Sequence, residues 1–161
     1  MADEEMIRGG REIGQFLQGL PVKVERNILR AALRAGINEF KAEIKQNVPV
    51  DSGALRSSVQ VSVKSKRGTV YARVKVGGKK APHAHLVEFG TAAHKIKAKK
   101  HHALAFGGLT VQEVDHPGAK SHPFVRPAFD SKSQAAIAAT GNKIRERLTK
   151  EGINVPTPES D

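Results

Sequence analysis

Residues 57–76 read SSVQVSVKSKRGTVYARVKV. Val59, Val61 and Val63 alternate with Ser58, Gln60, Ser62 and Lys64, and Val70, Ala72, Val74 and Val76 alternate with Tyr71, Arg73 and Lys75. A period of two is that of a strand with one face buried. Lys66-Arg67-Gly68 between the two runs supplies a turn. The stretch therefore predicts an antiparallel hairpin, apolar on one face and, on the other, either basic or covered by a second chain. A hairpin with one apolar face needs something to lie on, and the chain offers it immediately upstream.

Pro21 suits the first turn of a helix, where its missing N–H is not needed. Leu29, Leu33, Gly36, Phe40 and Ile44 follow at helical spacing, and Val24, Ile28, Ala31 and Ala35 form an adjoining stripe. The two stripes make one wide apolar face, with Arg26, Arg30, Arg34, Lys41 and Lys45 mostly off it. Pro49 pushes its predecessor out of helical space, so the helix is expected over roughly 21–46. Between helix and hairpin lies a corner, Val48-Pro49-Val50-Asp51-Ser52-Gly53-Ala54-Leu55-Arg56. Asp51 or Ser52 can accept a backbone N–H and start a helical turn, and Gly53 permits the bend.

Downstream of the hairpin and a Gly77–Pro82 loop comes His85-Leu86-Val87-Glu88-Phe89-Gly90-Thr91. Leu86, Val87 and Phe89 are able to bury, and Gly90 can end a helical turn at positive φ. Glu88 is the one acid between Arg56 and Gln112. An unpaired charge beside apolar neighbours is costly, so Glu88 is expected to cap a helix or hold a loop by a salt bridge. Ala92–His102, with four lysines and three histidines around Ile96, reads as a long exposed excursion with a short strand near Ile96. Ala103–Phe106, Gly107-Gly108 and Leu109–Val114 read as a second hairpin. His116-Pro117-Gly118 and Ser121-His122-Pro123 bracket an irregular loop, and a final helix runs to about Lys150 with Phe129, Ser133, Ala136, Thr140, Ile144 and Leu148 on one side. Gly141 inside it signals close packing or local weakness. The class is α+β: a small antiparallel sheet packed against a long N-terminal helix and a C-terminal helix, with long loops. Residues 1–19, containing Gly9, Gly10, Gly14 and Gly19, are expected to form an arm that orders against a neighbour. Residues 20–150 form the single domain and 151–161 a loose tail.

The 161 residues carry 27 Lys or Arg against 16 Asp or Glu, a net charge of +11, and between Ser57 and Gln112 eleven cations face Glu88 alone. Such a block points to a polyanion or an acidic protein surface, or else to a solvated face. With 6 Phe, 1 Tyr and no Trp the core is aliphatic, and the absence of Cys excludes disulfides and thiolate chemistry. No apolar run approaches the roughly 20 residues of a membrane span, and the acidic start Met1-Ala2-Asp3-Glu4-Glu5 is unlike a secretion signal. His83, His85, His101 and His102 invite a metal hypothesis, but no H-E-x-x-H spacing is present and the surrounding lysines repel a dication. Ser52 and Ser121 sit in no G-x-S-x-G elbow, and there is neither a phosphate-cradling loop nor a dinucleotide fingerprint. No enzymatic activity and no cofactor is expected.

Four segments in one order carry a resemblance: Val48–Ser58 with its Pro-x-Asp-Ser-Gly-x-Leu corner, His85–Thr91 with Val-Glu-Phe-Gly-Thr, Val114–Gly118, and Pro123-Phe124-Val125-Arg126-Pro127-Ala128 at the opening of the last helix. Over roughly 20–150 the chain resembles the head–tail connector (neck or tail-completion) family of long-tailed bacteriophages. The resemblance marks Asp51, Gly53, Leu55, Glu88, Phe89, Gly90, Pro123, Phe124 and Pro127 as motif residues. It implies a non-enzymatic virion protein, made in the host cytoplasm, that forms a homo-oligomeric ring in the neck. The ring's partners would be its own copies, head-closure or adaptor proteins on one side and tail-terminator or tail-tube proteins on the other, with DNA passing through without sequence readout. Lys95, Lys97, Lys99 and Lys100, with no acid near them in sequence, are the expected contacts to DNA or to an adjoining ring. Two other classes, a free basic nucleic-acid-binding protein and a metal-dependent hydrolase, remain as alternatives to that reading.

Overall fold

The computed structural model describes residues 14, 15, 17–98, 104–106 and 108–151. Helix α1 spans Val22–Asn47 and stops where Val48 turns extended ahead of Pro49. A short helix α2, Ala54–Ser57, follows Gly53, whose φ of 76° is open to glycine at little cost. Strands β1 (Gln60–Lys66) and β2 (Thr69–Lys75) pair antiparallel, with Val61 opposite Val74 and Val63 opposite Ala72. Helix α3 covers Ala84–Phe89. Strands β3 (His94–Lys97), β4 (Leu104–Phe106), β5 (Leu109–Val111) and β6 (Glu113–His116) precede the last helix, α4, at Val125–Lys150. The fold is α+β, as expected.

The strands do not join into one sheet. Among the described residues they form three two-stranded ribbons: β1 with β2, β3 with β6, and β4 with β5. The expected second hairpin is thereby split. Only Leu109–Val111 returns along β4, whereas Glu113–His116 leaves to pair with β3. Thr91 with Ala119 and Ala98 with Gln112 extend the β3–β6 register at either end. The described part of the excursion is thus largely an antiparallel ribbon. Backbone pairing makes such a polar segment tenable without a core of its own.

The hairpin lays its valine face on α1, with Val63 buried and Val61, Val70, Ala72 and Val74 half-buried. The buried line of α1 is Ile28, Ala32, Gly36 and Ile44. It threads between the two stripes of the sequence reading, and Ala32 belongs to neither. The reason is that α1 is covered from two sides, by the hairpin and by α4, so its most enclosed residues lie where the two contacts meet. One apolar cluster joins Ile44, Val48, Leu55, Val59, Ala81, Ala84, Phe124 and Ala128. The other joins Leu17, Ile28, Ala32, Ile144 and Leu148. Leu17 falls in the segment expected to be an arm, and it is seated on the domain's own helices. Residues 1–13, Phe16 and 152–161 lie outside the described residues.

Phe129, expected on the buried side of α4, is 46% exposed but stacks on Phe40 with ring centroids 4.2 Å apart. The closest approach of the long helices is at Gly36, where a Cβ would meet Thr140 Oγ1 and come within 2.7 Å of the Ala136 carbonyl oxygen. Gly141, which the sequence singled out, has no atom within 4 Å of its would-be Cβ. The two glycines should therefore respond oppositely to the same change. Gly141→Ala should raise stability by about 0.5–1 kcal/mol, the helix-propensity gain alone. Gly36→Ala should lower it by about 1–3 kcal/mol through overpacking against a backbone that cannot retreat. Denaturant unfolding of both variants checks this, and a stabilised Gly36→Ala would contradict the close crossing.

Candidate functional site

Chemistry-bearing residues gather in three places: the junction around Glu88, the β3–β6 ribbon, and the outer face of the β1–β2 hairpin. At the junction α3 is one and a half turns long. Its inner side carries Ala84 and Val87, and its outer side carries Leu86 and Phe89, 41% and 73% exposed. Phe89 and Leu86 thus do not bury as their residue types suggested, because so short a helix has a single inner side and Ala84, Val87 and Glu88 occupy it.

Glu88 Oε2 accepts the backbone N–H groups of Phe124 at 2.8 Å and Val125 at 3.0 Å, and Oε1 accepts that of Arg126 at 3.4 Å. A helix leaves four N–H groups without partners at its start. In α4 three of them point at this carboxylate, and the fourth does not exist, because Pro127 occupies that position. The negative charge also lies at the positive end of the helix dipole. No side chain of the local sequence caps α4; the cap comes from 36 residues upstream. The expectation that Glu88 caps or anchors is met, with a helix of distant sequence as its target. Phe124 itself is 1% exposed in the core. Pro123 and Pro127 lie at the surface on either side of it.

Around this cap the two chain segments interlock. His122 N–H donates to the Val87 carbonyl at 2.8 Å, Thr91 N–H donates to the Ala119 carbonyl at 2.9 Å, and Thr91 Oγ1 accepts from Ala119 N–H at 2.8 Å. Gly90, at φ 72°, lies so close to the opposite segment that a Cβ would stand 2.6 Å from the Ala119 carbonyl oxygen. A Cβ at Gly118 would likewise strike the Thr91 carbonyl. Both glycines are needed for approach as well as for conformation. On the corner Leu55 is buried, Ser52 Oγ accepts the Ala54 N–H at 3.4 Å, and Asp51 is exposed. Ser58, which the sequence reading passed over as an outward strand residue, is 3% exposed; its hydroxyl donates to the Leu55 carbonyl and accepts Gly77 N–H at 2.9 Å. It ties the corner to the end of the hairpin, and an isolated serine gives no sequence signal of that role.

On the ribbon, Lys95 reaches Glu113 at 2.6 Å and Asp115 at 3.5 Å, and Lys97 reaches Glu113 at 3.3 Å. The Lys95 and Lys97 ammonium groups hold the Glu113 carboxyl below its ordinary value. The lack of acids near these lysines in sequence does not carry over into space, since strand pairing brings two carboxylates from β6. Lys99, Lys100, His101 and His102 lie outside the described residues. His94 and His116 face each other across the ribbon with ring centroids 5.0 Å apart. Among the described residues no three His, Asp or Glu side chains gather in a way that could hold a metal ion.

On the hairpin the side chains opposite the valines form a face of their own. Lys64 pairs across the strands with Tyr71, Ser62 with Arg73, Gln60 with Lys75, and Lys66 with Thr69. All but half-buried Ser62 are exposed. A separate open cleft of about 380 Å³ between α1 and the end of α4 is lined by Arg30, Arg34, Arg147 and Glu151. Neither location brings a nucleophile to a base.

Residues 11–90 match the model of the HK97-gp10-like family, described as "Bacteriophage HK97-gp10, putative tail-component". The match takes in the corner and reaches Gly90, so it includes Glu88 but neither the Val114–Gly118 nor the Pro123–Ala128 segment. It supports the resemblance to phage head–tail connectors, the family being described as a phage tail component. No curated protein and no solved structure matches the chain.

The junction predicts folding defects, not loss of a discrete activity. Glu88→Ala should cost about 1–3 kcal/mol, the penalty for N–H groups left without a partner. Gly90→Val should cost at least as much, because valine is penalised at positive φ. Leu55→Asp should cost several kcal/mol as a buried unpaired charge. Thermal unfolding measures all three, and parental melting temperatures would show that the junction and corner are not structural.

Proposed function

We propose that this chain is a subunit of a homo-oligomeric ring in the neck of a long-tailed bacteriophage, joining head to tail and letting DNA pass. The observation that carries the reading is the family match over residues 11–90, together with the ordered motifs that continue beyond it to Ala128. The physical features agree. Two long helices crossing at Gly36 make a firm body, while Leu86 and Phe89 stand out from it as apolar side chains available to a neighbour. Ring subunits meet head to tail through two different surfaces, and a rotation closes the set. In this reading the part of the segment 1–19 ahead of Leu17 orders against an adjacent subunit, 20–150 is the ring domain and 151–161 is a tail. The partners are its own copies, head-closure or adaptor proteins, tail-terminator or tail-tube proteins, and DNA held without sequence readout. Its place is the virion neck, and its role is structural.

The lysine-rich excursion is proposed as a contact of the ring with DNA or an adjoining layer. Lys95 and Lys97 are already paired with Glu113 and Asp115, which weakens their pull on phosphate and favours a protein neighbour. Replacing Lys95, Lys97, Lys99 and Lys100 by Gln should leave the fold intact, since exposed charges add little stability, and should lower the yield of infectious particles. Normal plaque yield with normal DNA retention would leave these lysines as a solvated face. The ring itself is tested by electron microscopy of the purified chain and of virions. Closed rings are the expected result, and a strictly monomeric species in both settings would overturn the reading.

A further inference from the structure

The outer face of the β1–β2 hairpin has an unusual inventory. Its cations are Lys64, Lys66, Arg73 and Lys75, arranged around Tyr71. The three remaining positions are Gln60, Ser62 and Thr69. Every side chain on the face can donate a hydrogen bond, and none carries a carboxylate. Among the described residues none of the four cations is in a salt bridge, although Lys95, Lys97, Lys132, Lys143 and Lys150 all are. Residues two apart on a strand lie about 7 Å from one another on the same face, so the cations form two short parallel rows. The valines beneath are fixed on α1, which holds the rows in place.

Unpaired like charges so close together repel one another, and they persist where an anionic partner gains from them. An acidic protein surface is the weaker candidate. Cores of protein interfaces are depleted in Lys and built on apolar anchors, and this face offers Tyr71 alone. Lys, Arg, Ser, Thr, Gln and Tyr are instead the side chains that contact phosphate oxygens in protein–DNA complexes. We infer that the outer face of the hairpin is a binding surface for the sugar–phosphate backbone of DNA, and that the hairpin, not the β3–β6 ribbon, supplies the phosphate contacts of the ring. The partner rests on the ring reading above; the surface rests on the register and charge of the hairpin.

The test is binding of the full chain to a fluorescent duplex of arbitrary sequence, followed by anisotropy from about 50 to about 200 mM salt. The variant with Lys64, Lys66, Arg73 and Lys75 changed to Gln is compared with Lys95→Gln/Lys97→Gln. The hairpin variant should lose about 0.9 per lost contact from the slope of log affinity against log salt, a drop of about 3 to 4 in all. The ribbon variant should change that slope by less than about 1. Circular dichroism checks the fold, and if the fourfold variant misfolds, Lys64→Gln and Arg73→Gln singly should each lower the slope by about 0.9. A parental chain that does not bind the duplex overturns the inference, as does a hairpin variant with parental affinity and slope. A hairpin variant that keeps duplex binding but loses binding to poly-glutamate would also overturn it, in favour of an acidic protein partner. Electron microscopy of the same samples separates the two readings: rings without DNA binding sink only the hairpin assignment, and hairpin-dependent DNA binding without rings sinks only the ring.

Discussion

Three backbone N–H groups at the start of α4 converge on one carboxylate, Glu88, the lone acid in a stretch of chain whose other charged residues are cations. Much else follows from satisfying that helix end. Phe124 can enter the core beside Ile44, Leu55 and Ala84 because its N–H is taken. Gly90 and Gly118 must be glycine because the two segments carrying them are drawn together by the same junction. The β3–β6 ribbon starts from there, with Thr91 and Ala119 as its base. Its loss would release a helix end and the root of a ribbon together, which distinguishes Glu88 from an ordinary surface carboxylate.

Charge is divided between elements in a way that its total conceals. The ribbon's described lysines are neutralised locally by Glu113 and Asp115, and α4 carries its own Lys143–Glu146–Lys150 network. The cations of the hairpin have no such partners among the described residues. A net charge of +11 thus does not say which surfaces keep unpaired cations. Ion pairs inside the chain are worth little in water, whereas an array facing a polyanion gains from counterion release, and both weaken as salt rises.

The hairpin and long helices were legible because period two and period 3.6 leave unmistakable patterns in Val59–Val76 and Leu29–Ile44. The role of Glu88 was legible in kind, since a lone acid among cations must be satisfied, but its target was not, because sequence patterns do not report which distant helix end comes near. The same limit explains the glycines. Gly141 looked anomalous within its own helix, while Gly36 passed as part of an apolar stripe; only the crossing of α1 and α4 reveals which one is pressed against a neighbour. Lys95 and Lys97 looked unpaired because their carboxylates arrive through a β3–β6 register that splits the expected hairpin. Leu86 and Phe89 looked buried because residue type was read without the brevity of α3.

The pairing of α1 with α4 also sets the order in which the molecule can be made. Both α1 and the hairpin leave the ribosome well before α4 does, and one side of α1 then lacks its cover. Ile28, Ala32 and the notch at Gly36 wait for Ala136, Ile144 and Leu148. Contacts that span nearly the whole sequence are slow to form because a large loop must close first. Nascent copies with that seam bare are therefore exposed to mutual association. Docking of the final helix closes that seam by seating Ile144 and Leu148 against Ile28 and Ala32.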